Sequence, residues 1–135
     1  MNPYSHADNL IEAREILEIT AVKMAAERRS SKNLESIQAA QDDFREQRLD
    51  QVDAVEEDLL FHLEVVAASK NTVLKSLFLK IFPELFDLFI NREKQDLKQF
   101  FEAISEHDSI IEHISNQDKE AAAAVMKLHL DKSKN

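Results

Sequence analysis

The chain has 135 residues, a formal net charge of −9, no Cys, no Gly and two Pro residues. One domain of this length buries roughly two-thirds of the surface that its unfolded chain exposes, so a substantial core is expected. The lack of Cys excludes disulfides and thiolate metal sites and fits a reducing cytoplasm. The acidic charge argues against direct binding of a nucleic-acid backbone, although a basic DNA-binding part could lie elsewhere in the protein.

The composition also predicts the fold class. Ala, Leu, Glu and Lys are plentiful and helix-breaking residues are rare, which is typical of an all-α protein. No apolar run is long enough to span a membrane, and the N-terminus lacks the basic and apolar blocks of a signal peptide. We therefore predict an all-α, cytoplasmic protein with no membrane partner.

The first predicted helix carries a charged residue on its apolar side. Residues 1–7 read as a lead-in, Asp8 or Asn9 as the helix cap, and the helix as running to about Arg29. Its inward row is Leu10, Arg14, Leu17, Ala21 and Met24. A guanidinium in such a row needs an anion, which is either an internal carboxylate or a bound ligand, unless Arg14 reaches water.

The next two predicted helices run from about Asn33 to Arg48 and from about Gln51 to Ser69. The polar side chains of the second helix are expected to form a solvated face. In the third helix, Asp58 and His62 are four residues apart and point to the same apolar side. A carboxylate buried there needs a partner, which is either His62 itself or a divalent cation bound by both side chains.

A long apolar segment follows, capped by Asn71 or Thr72. Pro83 is expected to kink or split this helix near Ile81. The apolar stripe over residues 73–90 is wider than one buried face requires. The segment is therefore either the central helix of a bundle or partly a surface that meets a second subunit.

The last two predicted helices each place a histidine on an inward row. The fifth, over about residues 96–115, includes His107, and the sixth, capped by Asp118, includes His129. Their row-mates are Phe100, Ile104, Ile111 and Ile114 in the fifth helix and Ala122 and Val125 in the sixth. His113 falls outside these rows and reads as a surface residue.

Three of the five histidines and one acid thus fall on inward rows of three different helices. These residues are Asp58, His62, His107 and His129. Facing helices of a bundle can build a metal site in its core. Three imidazoles and a carboxylate suit zinc, nickel, manganese or iron(II), and an octahedral ion would keep positions open for water or a ligand's carboxylate.

Other metal and catalytic motifs are missing from the sequence. No histidine follows a Glu by three residues, as di-iron bundles require, and no His-Glu-x-x-His motif occurs. Without Gly there is no phosphate-binding loop and no nucleophile elbow. We therefore predict no catalytic residues, and we keep a metal-dependent enzyme acting on a small carboxylate and a metal-free helical scaffold as alternatives.

Several short motifs follow one another in a characteristic order. They are Glu12-Ala13-Arg14-Glu15-Ile16-Leu17-Glu18, Ala25-Ala26-Glu27-Arg28, Asp58-x-x-x-His62, Ser69-Lys70-Asn71, Glu106-His107-Asp108-Ser109-Ile110-Ile111, and Asp118-Lys119-Glu120-Ala121-Ala122 running to His129. With these motifs the chain resembles, from about Leu10 to Leu130, the FCD domain of bacterial GntR-family transcription regulators of the FadR type. Each motif is weak alone, but their order and spacing are specific.

The resemblance implies an antiparallel bundle of six to seven helices over residues 8–132, with a frayed tail at 133–135. The residues that would hold a divalent metal are Asp58, His62, His107 and His129. The metal and Arg14 would bind a small organic-acid effector, and an acyl-CoA effector is less expected because that branch of the family lacks the metal ligands. Two positions depart from the family pattern: Gln117 replaces the usual Gly, and His113 replaces a small residue.

The resemblance also implies partners. Regulators of this family act as homodimers, in which the effector changes the placement of N-terminal winged-helix domains and so their affinity for DNA. No winged-helix domain is present in these 135 residues. The chain is therefore expected to be either a fragment of such a regulator or a sensor-only protein.

Overall fold

The computed structural model describes residues 4–49, 54–92 and 96–134, and within these ranges it contains six α-helices and no strand. The helices are α1 (His6–Arg28), α2 (Ser31–Leu49), α3 (Val55–Ala68), α4 (Thr72–Ile90), α5 (Leu97–Ser115) and α6 (Lys119–Asp131). The predicted all-α bundle is confirmed. No helix in the described ranges combines the length and apolar character that crossing a bilayer requires.

The first helix begins earlier than the sequence analysis predicted. Ser5 is the N-cap, because its hydroxyl accepts a hydrogen bond from the Asp8 backbone N–H at 3.0 Å. The Asp8 carboxylate in turn accepts from the Ser5 N–H at 3.1 Å, completing a capping box. The prediction of Asp8 or Asn9 as the cap is therefore wrong, since Asp8 is the third residue of the helix. The predicted caps at Asn71 and Asp118 are confirmed.

Pro83 lies inside α4 without splitting it, so the helix continues from Thr72 to Ile90. A proline in a helix interior costs about 3 kcal/mol. Phe78 and Leu85, on either side of Pro83, are completely buried and hold both halves of the helix against the bundle. Burial of two such side chains contributes roughly 1.5–3 kcal/mol each, which is enough to offset the proline.

Helix α3 lies between two hydrophobic clusters. Phe61 enters the larger cluster, which is shared with α1, α2, α5 and α6. Leu59 enters the smaller cluster, which is shared with α1 and α4. On the surface of α3, Asp58 and His62 lie between the residues that enter the two clusters. The packing of the apolar residues therefore places the His62 side chain in the interior and leaves the Asp58 side chain partly exposed.

Helix α4 lies at the edge of the bundle, where it packs against α1 and α3. This position corrects the alternative in which α4 is the central helix. Several of its apolar side chains are open to solvent, including Val73, Leu77 and Leu79, which are 66%, 48% and 47% exposed. The wide apolar stripe is thus only partly used inside this chain.

The turn between α5 and α6 places Gln117 in a backbone conformation that favours Gly. Gln117 has a φ of 57°, in the left-handed region that favours Gly. Its N–H donates to the Ile114 carbonyl at 3.1 Å, and the Asp118 N–H donates to the His113 carbonyl at 2.9 Å. These two bonds define a Schellman motif. The turn is therefore retained without Gly, at a cost of about 1 kcal/mol.

Candidate metal centre

Three helices bring the predicted metal ligands together inside the bundle. Helix α3 contributes Asp58 and His62, α5 contributes His107, and α6 contributes His129. One donor atom from each of these residues lies within 4.8 Å of the other three. The Nε2 atoms of His62 and His129 are 3.2 Å apart, and Asp58 Oδ1 lies 3.0 Å from His107 Nε2. The four residues therefore form one compact cluster.

Each histidine of the cluster is held from outside by a further side chain. The outer partners are Glu18 for His62, Gln41 for His107 and Glu106 for His129. In all three rings the partner contacts Nδ1, so Nε2 is directed toward the centre of the cluster. Hydrogen bonds to the far nitrogen are the usual means by which proteins orient metal-binding imidazoles.

Gln41 determines which nitrogen of His107 carries the proton. The Gln41 amide nitrogen donates to the Ile104 carbonyl at 3.1 Å and to the Asp108 carboxylate at 2.9 Å. Its oxygen therefore faces His107 and accepts from Nδ1–H at 2.7 Å. This tautomer leaves His107 Nε2 with a lone pair that points into the cluster.

The contact between His107 and Asp58 brings two hydrogen-bond acceptors together. Burial lowers the pKa of His107 to about 3, so the ring is neutral at pH 7. Burial favours a neutral Asp58, but the attraction of His62 outweighs it and holds the Asp58 pKa well below its usual range. Asp58 Oδ1 and His107 Nε2 are buried, and neither makes a hydrogen bond within the described ranges. Two lone pairs at 3.0 Å fit a site for a cation.

Glu18 lies fully buried between Arg14 and His62. It accepts a hydrogen bond from Arg14 Nε at 2.5 Å and contacts His62 Nδ1. Burial alone would raise the Glu18 pKa, but its two cationic neighbours lower it to about 2. Burial opposes the charged form of His62, yet Glu18 and Asp58 raise its pKa to about 9. Without a metal, His62 thus supplies a positive charge between two carboxylates.

Arg14 is almost completely buried, at 3% exposure, as its inward position predicted. One of the anions foreseen for it is present, because Glu18 accepts from its Nε. Its guanidinium also lies 5.2 Å from the centre of the Phe89 ring. Its terminal Nη groups make no hydrogen bond to the described part of the chain, so donors remain for a ligand. Arg14 as a ligand-binding residue stays a prediction.

The three outer partners were not predicted from the sequence. Gln41 was assigned to a solvated face but is fully buried, because it continues the row of Ile37 and Phe44 on α2. Glu18 could have been found from its position four residues after Arg14, whereas nothing in the sequence marked Glu106. The two other histidines lie outside the cluster. His6 contacts Glu84 at the surface, and His113 is partly exposed.

The fold and the cluster define a class: an all-helical domain with a polar site in its core, of the kind that binds small molecules. The FCD domain family matches residues 9–132, so the chain belongs to the FCD family. This family consists of effector-binding domains of GntR-type transcription regulators and not of enzymes. The resemblance seen in the sequence is thereby confirmed.

Known proteins are similar over most of this chain. The HTH-type transcriptional regulator LutR of Bacillus subtilis (strain 168) is 30% identical over 128 residues, covering 90% of this chain and 57% of LutR. The chain therefore spans little more than half of that relative. The structure of Streptococcus agalactiae GntR matches with a TM-score of 0.78 and 20% identity, over 93% of this chain and 56% of that one. E. coli McbR/YncC matches with a TM-score of 0.74 and 19% identity, over 94% and 65%. At these identities the two structures support the fold alone.

Proposed function

We propose that this chain is the effector-sensing and dimerisation domain of a bacterial transcription regulator, and that it binds a small organic acid through a divalent metal ion. The ion would be held by Asp58, His62, His107 and His129. The observation that carries this proposal is the contact of Asp58 Oδ1 with His107 Nε2, two buried acceptors with no donor between them. A cation bound by both atoms removes their repulsion.

The donor set limits the choice of metal. Three imidazole nitrogens and one carboxylate oxygen suit zinc, nickel or manganese. When bound, such an ion supplies a positive centre that attracts the carboxylate of an acid. The Nδ1 partners Glu18, Gln41 and Glu106 hold the rings in place before any ion arrives. The centre is therefore preorganised.

Arg14 supplies the second contact of the proposed effector. Glu18 fixes its Nε, while the terminal Nη groups keep their donors free inside a nearly closed environment. Hydrogen bonds from a guanidinium to a carboxylate are stronger than neutral ones. Arg14 would therefore fix the orientation of an acid, such as a hydroxy, keto or sugar acid, whose carboxylate lies at the metal.

Signalling would require partners beyond this chain. The exposed apolar side chains of α4 offer a surface for a homodimer, and DNA would be contacted by a winged-helix domain of the complete regulator. Effector binding shifts a dimer between two arrangements only by as much as its affinity differs between them. Such a regulator acts in the cytoplasm, in agreement with a chain that contains no Cys.

Elemental analysis and calorimetry test this proposal directly. The purified protein should retain about one ion per chain, and the metal-loaded form should bind 2-hydroxybutyrate while chelated protein does not. His107→Ala should lose the metal, and His113→Ala, a matched change outside the cluster, should keep it. A protein that takes up no ion, and whose thermal stability is unchanged by chelator, would contradict the proposal.

A further inference from the structure

Arg92, which follows the last residues of α4, is a cation without a carboxylate partner in the described part of the chain. Its Nη1 donates to the Ser133 backbone carbonyl at 2.6 Å. Its Nε is buried and makes no hydrogen bond within the described ranges. Nε and Nη2 form the edge of a guanidinium that binds a carboxylate with two parallel hydrogen bonds. The edge of Arg92 suited to a carboxylate is therefore available.

A second arginine contacts the same aromatic ring as Arg92. The guanidinium carbons of Arg14 and Arg92 are 5.2 Å and 4.9 Å from the centre of the same ring, Phe89. Burial lowers the Arg92 pKa, and the like charge of Arg14 lowers it further. Two guanidinium groups that share one aromatic side chain gain from an anion placed against them.

Both arginines are connected to the metal centre through short chains of contacts. Arg14 is bonded to Glu18, which contacts His62. Arg92 is bonded to Ser133, and the neighbouring Lys132 contacts Glu106, the outer partner of His129. The contact path from Arg92 to the histidines runs through Phe89, Arg14 and Glu18, which connects the arginines and the histidines in one region.

The ion pairs in this region show which positive charges lack a carboxylate partner. Glu18 is paired with Arg14, and Glu106 with Lys132. Asp58, the remaining carboxylate, would neutralise only one of the two charges of a divalent ion. Arg92 forms no ion pair within the described ranges. One positive charge is therefore left at the metal and one at Arg92.

We propose that Arg92 is a second ligand-binding arginine and that the effector is a dicarboxylic acid. One carboxylate, with its neighbouring hydroxyl or keto oxygen, lies at the metal, and the second is held by the Nε–Nη2 edge of Arg92. This inference rests on the proposed function, which requires only one carboxylate. The inference adds Arg92 as a binding residue and specifies dicarboxylic acids as the class of effector.

A matched pair of acids tests the second carboxylate. Malate differs from 2-hydroxybutyrate by a carboxylate in place of the terminal methyl group, and both have four carbons. On metal-loaded protein, calorimetry should show malate binding at least about tenfold more tightly, as expected for a charged bidentate contact. Arg92→Gln should remove this preference without changing metal content. Arg92→Lys, which keeps the charge but loses the planar edge, should restore only part of it.

Arg28→Gln is the control, because Arg28 also donates to a backbone carbonyl, that of Ser69, but touches neither Phe89 nor the cluster. It should keep the full preference for malate. Equal binding of both acids by the wild-type protein, or a preference that survives in Arg92→Gln, would overturn the inference and leave the proposed function intact. If neither acid binds, the proposed function fails as well. If 3-phosphoglycerate alone gains affinity through Arg92, the assignment of a dicarboxylate is wrong.

Discussion

The two halves of the polar region differ in how completely their hydrogen-bonding groups are used. In the histidine half, every ring has a buried or partly buried partner on Nδ1, and each partner is itself held. In the arginine half, Arg14 and Arg92 each make one hydrogen bond and leave other donors open in the described structure. The first arrangement suits a permanently bound ion with fixed geometry. The open donors of the arginine half suit a ligand that binds reversibly.

Replacing Asp58, the one carboxylate among the four proposed metal ligands, should have the largest effect on the histidine half. Asp58→Asn removes the anionic ligand, so metal affinity should fall by about a hundredfold or more, beyond the effect of losing an outer partner. The same change supplies an amide N–H that can donate to His107 Nε2. It also removes the attraction between Asp58 and protonated His62, so the two chelated proteins are compared above the His62 pKa of about 9, where the ring is neutral. There the Asp58→Asn variant should be as stable as wild-type protein, or more so.

Metal titration and urea unfolding on both proteins measure the two effects separately. Loss of stability in metal-free Asp58→Asn at a pH where His62 is neutral would show that Asp58 and His107 are already satisfied by one another. In that case the two-acceptor interpretation of their 3.0 Å contact would be wrong.

Removing an outer partner of a histidine should lower the metal affinity less than replacing Asp58 does. Gln41→Ala frees the His107 ring to rotate and to change tautomer, so metal affinity should fall by about 10–100-fold. Gln38→Ala is the matched control, since Gln38 is an exposed residue of α2 whose side chain bonds Asp42. Competition with a chromophoric chelator measures both affinities. Equal affinities would mean that the histidine half is not preorganised from outside.

The pH dependence of stability without metal tests the charge assigned to His62. The pKa of His62 is raised from its ordinary value of 6.5 to about 9 in the folded chain. Its stabilising contribution is therefore complete below pH 6.5 and is lost as the pH rises through about 9, by an amount of up to about 3 kcal/mol. Urea unfolding with chelator should detect the loss. Metal-loaded protein, in which the ion replaces the His62 proton, should not show it, and a flat profile in both forms would contradict the assigned charge.

The fold was predictable because its local signals agree. The sequence contains no Gly, which favours helices throughout, and Asn71 and Asp118 mark where two of the helices begin. The cap of α1 was missed although Ser5 and Asp8 form a local capping-box pattern. At Pro83, in contrast, tertiary contacts outweigh local preference. Burial of Phe78 and Leu85 holds α4 together across Pro83, which no local rule anticipates.

In the candidate site, the four proposed metal ligands were predictable from the sequence, whereas their outer partners and Arg92 were not. Asp58, His62, His107 and His129 interrupt apolar rows, so helical spacing alone selects them. Their outer partners depend on which helices face each other, since Gln41 of α2 meets His107 of α5 across 66 positions of sequence. Arg92 lies just beyond a helix end, where no periodicity applies, and only the shared Phe89 ring reveals its relation to Arg14.

The buried carboxylate of Glu18 couples the free energies of metal binding and acid binding. Glu18 touches Arg14 with one oxygen and His62 with the other, so neither half can rearrange independently of it. If the acid raises the affinity of the protein for the ion by some factor, then the ion must raise the affinity for the acid by the same factor. Under the proposed function, loss of the metal would therefore weaken binding of the acid by that same factor, and the response of the regulator to the acid would depend on the supply of metal.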